Sequence, residues 1–500
     1  MIHEECGVFG IWQAKSGPVA QMAYTGLFAL QHRGQEAAGI ALSDRGVFRH
    51  HKDVGLVSEV FAKDELDRLG EGNIAVGHVR YSTSGNPGRS NAQPIVVRHG
   101  KGNMAVCHNG NLVNSTLLRE KLEQKGCIFH TTSDTEVISY LLTQERLESG
   151  SIEEALERVM DRIDGAYSLV VMSPTKLLAA RDPRGFRPLC IGHLPNGGFA
   201  AASESCALDA VGARLERELE PGEIVVVSRE GVSSIRSHCL QSTRALCVFE
   251  YIYFARPDSV IEGCTVHDAR RCAGKLLAAA HPVDADVIIG VPDSGLDAAI
   301  GFSAASGIPY DVGLVKNKYV GRTFIAPSQE LREQMVRNKL NPIRRVIEGK
   351  RVVLLDDSIV RGTTIAQLIH IIRETGAKEV HVRISAPPFL HPCYYGTDID
   401  SEENLIAARH SVEETAAFIG ADTLGYLSVE DAKKIPGQMG CGLCTACFDG
   451  CYPTQVPRDA GKNRFEQPLS QWGKPPASIS GGINNCNLPV SVAGHNPPLR

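Results

Sequence analysis

Five hundred residues, 43% hydrophobic and 22% charged, describe a soluble globular chain too long for one ordinary core, so two domains are expected. A formal net charge of −5 argues against a nucleic-acid surface, and no uncharged apolar run approaches the ~18 residues of a membrane-spanning helix, so no membrane association is expected. The start of the chain has neither the basic residues nor the apolar core of a secretion signal, which points to a cytoplasmic protein; the fifteen scattered cysteines fit reduced thiols with some metal ligands better than a disulfide framework.

Residues 6–11, CGVFGI, predict a first buried strand headed by Cys6. Three polar blocks follow: QHRGQEAAG at 31–39, HVRYSTSG at 78–85 and HNGNL at 108–112. A fourth, SDTE at 133–136, has the spacing of a capping box and opens a helix with Val137, Ile138, Leu141 and Leu142 on one face; Ser151 opens a second helix with the same spacing. Taken singly, each candidate has an ordinary reading. Cys6 is a core thiol, Arg80 a surface ion pair, Asn109-Gly110 a type I′ hairpin turn, and Asp134 a first-turn charge favourable to the helix dipole. Residues 166–172 and 223–227 predict further strands, Pro221-Gly222 a turn, and ARDPRGFRP (180–188) a turn-rich connection.

Together, in this order behind a near-terminal Cys-Gly, the four blocks resemble the glutaminase domain of amidotransferases with an N-terminal cysteine nucleophile. The resemblance implies a four-layer αββα fold over 6–240, with residues 1–5 a leader that is removed. Cys6 would then carry a thiol and a free α-amine of pKa about 7.7–8.0, able to take the thiol proton near neutrality. It also implies that the Asn109 side chain and Gly110 N–H stabilise the oxyanion, and that Arg80 and Asp134 hold the α-carboxylate and α-ammonium of glutamine.

From Cys239 onward the pattern changes to alternating strands and helices, so a second domain is placed at 241–460, with the aromatic-rich CVFEYIYFARPDS (247–259) at the junction. Residues 287–291 are apolar, and PDSG (292–295) turns into a helix near Leu296; the ordinary reading of this turn is a helix cap at Asp293 or Ser294. Residues 316–342 are basic and lack sustained periodicity. The most informative stretch is VVLLDDSIVRGTT, 352–364. Four apolar residues suit a strand buried on both faces of a parallel sheet; Ile365, Leu368, Ile369 and Ile372 then fall at helical spacing, and Gly376 is a stop. The loop lies at the carboxyl end of the strand, where open α/β sheets bind ligands. Backbone N–H groups of Gly362, Thr363 and Thr364, with the two Thr hydroxyls, would hold a phosphate dianion. Asp356 and Asp357 are too negative to touch phosphate; they fit ribose hydroxyls or a Mg²⁺ ion. Val380, Val382 and Ile384 alternate as a strand. Cys441, Cys444, Cys447 and Cys451 crowd together, and their spacing allows a zinc site, a redox pair or an iron–sulfur cluster. Residues 461–500, rich in Pro, Gly, Ser and Asn, read as a disordered tail.

The 352–364 string resembles, at all thirteen positions, the phosphoribosyl pyrophosphate (PRPP) motif of type I phosphoribosyltransferases, and the whole chain resembles the iron–sulfur branch of the PRPP amidotransferases. The resemblance implies PRPP binding through Asp356, Asp357, Ser358, Arg361, Gly362, Thr363 and Thr364, and through a flexible loop bringing in Lys316, Tyr319 and Arg322. It implies Mg²⁺ at Ser294, Asp356 and Asp357, and one [4Fe–4S] cluster on Cys247, Cys393, Cys444 and Cys447, leaving Cys441 and Cys451 as extra thiols. The implied reaction turns PRPP and glutamine into 5-phosphoribosylamine, glutamate and pyrophosphate, with ammonia passed between two sites. A homotetramer inhibited by purine nucleotides is implied as well. The alternatives are another glutamine amidotransferase with the same first half, or a non-catalytic PRPP-sensing regulator.

Overall fold

A computed structural model describes residues 6–81, 88–317, 340–399, 401–437 and 442–456. In the first half, two antiparallel sheets lie face to face. One has the order Arg214–Glu218, Cys190–His193, Phe199–Ala202, Gly7–Gly17, Gly72–Arg80, Ala37–Asp44, Val47–Val54. The other runs Gly231–Ile235, Ile224–Ser228, Leu177–Arg181, Gly165–Met172, Gly102–Leu112, Ile95–His99. Val8, Trp12, Val76, Cys107, Val170 and Val225 fill the space between them. Small residues set the spacing: a Cβ on Gly10 would lie 2.6 Å from Val170 Cγ1. Outside, helix Val19–Ala29 covers the first sheet, and helices Asp134–Glu148 and Ile152–Met160 cover the second. These are the four αββα layers that the resemblance implies.

Neither predicted capping box forms. Ser133 accepts from Thr135 N, but Glu136 turns to His130 N (3.0 Å) and Thr131 N (2.7 Å) instead of Ser133 N. Ser151 caps Glu154 N at 3.1 Å, while Glu154 accepts from Gly150 N at 2.9 Å. In both, the approaching chain offers a nearer unpaired N–H to the glutamate, so half of the box is rebuilt one to three residues upstream.

The second half carries a four-stranded parallel sheet in the order Val287–Gly290, Arg351–Asp356, Glu379–Ile384, Thr423–Tyr426, packed against helices that include Val266–Ala280, Gly295–Ser306 and Thr363–Glu374. The strand expected from the alternation of Val380, Val382 and Ile384 forms, and its intervening residues His381 and Arg383 are buried too. His381 bonds Thr423 Oγ1 (3.0 Å) and Glu379 (2.9 Å), and Arg383 donates to Thr423 Oγ1 and to the carbonyl of His281. An interior parallel strand is covered on both faces, so its polar residues must find protein partners.

Helices Val266–Ala280 and Gly295–Ser306 meet backbone to backbone. A Cβ on Gly274 would lie 1.9 Å from Ala298 O, and one on Gly301 2.1 Å from Arg271 O. Gly274→Ala and Gly301→Ala should each cost about 1–3 kcal/mol through overpacking, seen as a lower calorimetric midpoint. At a tolerant helix position the same change would raise it.

Candidate active sites

The first site is assembled at the ends of strands from both sheets. Cys6 immediately precedes Gly7–Gly17, is half-buried, and points its Sγ at the carbonyl of Tyr81, 3.4 Å away. Gly7 pairs with Val79 in the antiparallel ladder, so Cys6 and Arg80 stand opposite each other at its end. The QHRG turn lies directly on this end because Gly34 has no side chain: a Cβ there would be 2.6 Å from Val79 C and 2.7 Å from Arg80 N. The turn delivers Arg33, whose Nε donates to the Cys6 carbonyl at 3.0 Å.

Asn109 and Gly110 do not form the hairpin turn of the ordinary reading. They sit within strand Gly102–Leu112, opposite Ser168 and Tyr167. Gly110 has φ +137°, and a Cβ there would lie 2.1 Å from Ala166 O, so only glycine fits. Asn109 is 1% exposed, and neither its Oδ1 nor its Nδ2 has a hydrogen-bond partner among the described residues. A buried amide left unbonded on both atoms costs stability, and it is what a site reserved for a ligand looks like. The strand beside it is held firmly. Gln93 clamps His108, accepting from its N–H (2.7 Å) and donating to its carbonyl (3.3 Å), and His78 Nε2 reaches the same carbonyl at 3.0 Å.

Asp134 lies behind this strand, with Oδ1 3.2 Å from His108 Nδ1 and Oδ2 accepting from Leu112 N at 3.0 Å. Burial alone would raise its pKa; His108 and the N–H groups of Leu112 and Thr135 outweigh that and hold it below the ordinary value. A carboxylate has about four acceptor positions, so these bonds leave capacity for an ammonium.

The second site lies at the carboxyl ends of strands Val287–Gly290 and Arg351–Asp356. A Cβ on Gly295 would be 2.5 Å from Leu355 O, so the two strand-to-helix loops pack without a layer of side chains between them. Ser294 therefore does not cap its helix; its hydroxyl donates to Asp357, which also accepts from Ser358 Oγ. Both aspartates have raised pKa values, Asp356 through burial and the neighbouring charge of Asp357, and Asp357 through burial against the pull of the two serines. Gly362, at φ +77°, precedes helix Thr363–Glu374; Arg361 and Thr363 are exposed, and Ser358 and Thr364 half-buried. Lys316 ends the short strand Leu314–Lys316, paired with Leu340–Pro342, and bonds Asp293 of the neighbouring loop. Tyr319 and Arg322 lie outside the described residues, as does Cys441.

The four cysteines expected at a cluster converge from three parts of the chain. Cys247 and Cys444 are direct partners in a parallel two-residue ladder. Cys393 Sγ accepts from Tyr395 N at 3.4 Å, and the Cys447 carbonyl accepts from Leu390 N and His391 N. Burial, and then the proximity of Cys393, Cys247 and Cys444, pushes the Cys447 thiol well up; burial first, with Cys393 among the lesser causes, pushes Cys444 up to about 12. Among the described residues, no group of three or more His, Cys, Asp or Glu side chains is spaced for a metal ion. A four-iron cubane spreads its thiolates farther apart than one ion does, and Cys247, Cys393 and Cys444, buried, with Cys447, half-buried, are a donor set of the kind such a cluster takes.

Two family models match the chain: a glutamine amidotransferase domain over 78–210 and a phosphoribosyl transferase domain over 265–398. The amidophosphoribosyltransferase of Bacillus subtilis is 50% identical over 463 residues, covering 92% of this chain and 96% of its own length. The chain belongs to the amidophosphoribosyltransferase family. The Methanocaldococcus jannaschii member is 49% identical over 465 residues, 90% of this chain and 98% of its own. A solved structure of the B. subtilis glutamine PRPP amidotransferase with ADP and GMP superposes with TM-score 0.84 at 50% identity, covering 91% of this chain and 98% of that one. Another, described as the allosteric regulatory enzyme of purine biosynthesis, superposes with TM-score 0.86 at 49% identity over 93% and 99%. The protein is thus an enzyme that makes 5-phosphoribosylamine from PRPP and glutamine, the first step of purine biosynthesis, and the regulator and other-amidotransferase readings are set aside. Among the described residues no helix is long and apolar enough to cross a membrane.

Sequence reasoning left several residues of the first site without a role. Arg33 sits in a quoted motif, and Glu250 is the lone charge in CVFEYIYFA; an acid stranded in an apolar run is a signal that it has a buried partner. His78 likewise opens the block at 78–85, whereas Gln93 carries no such signal. Burial pushes the His78 imidazole down to about 3, so it is neutral where it bonds the His108 carbonyl. Below pH ~6.5 the unfolded chain takes up this proton first, and stability falls by about 1.4 kcal/mol per pH unit until pH approaches 3. His78→Gln should therefore flatten the slope of Tm against pH between about 6.5 and 4. A slope equal to the wild type's would show that His78 is not the titrating group.

Proposed function

We propose that the enzyme divides its reaction between two centres, one on residues 6–240 and one on 241–460. In the first, removal of residues 1–5 makes the Cys6 α-amine the base for its own thiol, which attacks the glutamine carboxamide. Arg80 pairs with the α-carboxylate and Asp134 with the α-ammonium of glutamine. The Asn109 amide and Gly110 N–H receive the oxyanion. The observation that supports this division is the unbonded, fully enclosed amide of Asn109, beside a glycine that admits no side chain.

In the second, the N–H groups and hydroxyls of Gly362, Thr363 and Thr364, with Ser358 and Arg361, hold the 5-phosphate of PRPP; Lys316, Tyr319 and Arg322 are further PRPP contacts by family membership. Asp356 and Asp357, two adjacent carboxylates whose burial disfavours their ionisation, suit ribose hydroxyls and a Mg²⁺ ion near Ser294, which when bound draws charge from departing pyrophosphate. Ammonia released at Cys6 passes to ribose C1 without entering bulk water. A [4Fe–4S] cluster on Cys247, Cys393, Cys444 and Cys447 would be structural, tying the beginning, middle and end of the second half together. Assembly as a cytoplasmic homotetramer and inhibition by purine nucleotides rest on family membership, the latter also on the ADP and GMP held by the B. subtilis structure.

Cys6→Ala should abolish glutamine-dependent synthesis and leave synthesis from ammonium salts within about twofold, whereas Asp357→Asn should cut the ammonium-dependent rate sharply and keep a basal glutaminase. Asn109→Ala should behave like Cys6→Ala with a loss of about 10²–10³ in kcat. Equal loss of both activities in Cys6→Ala would refute the division into two centres.

The cluster is tested by iron and zinc analysis of anaerobically purified protein alongside Cys444→Ser. About four irons per chain are expected in the wild type, with loss of iron, colour and thermal stability in the variant. Stoichiometric zinc without iron would overturn the assignment.

A further inference from the structure

Arg33 is fully buried, and its three nitrogens are all engaged. Nε holds the Cys6 carbonyl at 3.0 Å, Nη1 bonds Glu204 at 2.6 Å and Glu250 at 3.0 Å, and Nη2 bonds Glu250 at 2.8 Å. Glu204 belongs to the first half of the chain. Glu250 does not: it opens the helical turn Glu250–Phe254, just after Leu246–Cys247 has paired with Leu443–Cys444 of the second half. The same carboxylate takes a third contact from Arg187 Nη1 at 3.3 Å, and Arg187 Nη2 donates to the Tyr395 carbonyl at 2.7 Å, two residues past Cys393. Arg33, Arg187, Glu204 and Glu250 show no side-chain exposure.

The geometry assigns Glu250, an acid supplied by the PRPP half, as a positioning residue for the glutaminase nucleophile, acting on Cys6 through Arg33. The inference rests on Cys6 being that nucleophile. A bidentate carboxylate fixes the plane of the guanidinium, and that plane aims Nε at the carbonyl of Cys6. With the carbonyl fixed, the remaining freedom of the residue is small, so its α-amine and Sγ are presented in one arrangement to the glutamine carboxamide. The oxyanion strand is braced from the same side. Asn111 Nδ2 donates to the Tyr394 carbonyl at 2.9 Å, and a Cβ on Gly396 would be 3.5 Å from Gly110 C. Nucleophile and oxyanion donors thus take their relative position in part from the other half of the molecule.

A merely structural ion-pair network would also be buried, and breaking it would destabilise the fold. The two roles separate kinetically. In full-length Glu250→Gln, which keeps shape and one hydrogen-bond acceptor, we expect the ammonium-dependent rate within about twofold and KM for glutamine within about threefold. The glutamine-dependent kcat should fall at least tenfold, as should the rate at which a glutamine-derived diazoketone alkylates Cys6, mapped by peptide mass. Glu250→Asp keeps the charge but shortens its reach; it folds under a milder perturbation and should show the same split, smaller in size. An unchanged kcat and alkylation rate in either folded variant would overturn the inference, as would parallel loss of both activities. Wild-type protein that is not alkylated at Cys6 would sink the nucleophile assignment itself; wild type labelled at Cys6 with an indifferent Glu250→Gln sinks the positioning role alone.

Discussion

Two guanidiniums and two carboxylates lie buried where the halves of the molecule meet, and their mutual satisfaction is the constraint on which the rest depends. Arg33, Arg187, Glu204 and Glu250 cancel in formal charge, yet each taken alone would be prohibitively costly to bury. Glu204 shows how strongly they lean on one another. Burial would raise its pKa, but His32 and Arg33 beside it, with the hydroxyl of Ser259, drive it far below the usual carboxylate range. Such a set tolerates only one docking of the two halves, because a shift of an ångström or two would strand a charge. Specific geometry at the seam is therefore enforced by desolvation, and the apolar contacts around it, such as Phe186 stacked on Tyr395 at 4.1 Å, add area without adding that selectivity.

The seam matters because the two chemistries must be near each other and yet apart. Ammonia is lost to protons and solvent if it leaves the protein, so the glutaminase half and the ribosyl-transfer half need a fixed relation. The chain achieves this with backbone as much as with side chains. At Gly110 a Cβ would collide with Ala166 O, at Gly295 with Leu355 O, and at Gly34 with the backbone of Val79 and Arg80. Each of these contacts brings a loop or strand bearing a chemical group to a distance that any other residue would prevent. Local signals yield to such contacts where they conflict. Ser294 has the identity and position of a helix cap, but its hydroxyl is taken by Asp357, since a bond to a carboxylate outweighs one to a helix N–H.

Much of the fold was legible because its signals are local. Four apolar residues before Asp356-Asp357 mark a strand with both faces covered, and strand Arg351–Asp356 is interior to a parallel sheet. Helix Thr363–Glu374 follows from the spacing of Ile365, Leu368, Ile369 and Ile372, and Gly376, at φ +104°, lies just beyond its end. The limits of such reading appear at residues 133–136. Spacing alone predicts a reciprocal capping box, but Glu136 answers N–H groups that the preceding loop happens to bring closer.

By itself, then, the sequence determined the kinds of element, the two-part organisation and which groups are candidates for chemistry: Cys6, the Asn109-Gly110 pair, the Asp356-Asp357 pair, and the cysteines that could share a cluster. These depend on residue type and short-range spacing, which are written along the chain. Only the tertiary structure decided that Asn109 is enclosed with both amide atoms unbonded, that Cys247 is laddered to Cys444 across nearly two hundred residues, and that Glu250 reaches Cys6 through Arg33. The reason is physical. Burial and the pairing of charge depend on which surfaces meet in space, and residues far apart in the chain carry no mark of their eventual partners until the fold brings them into one dry environment.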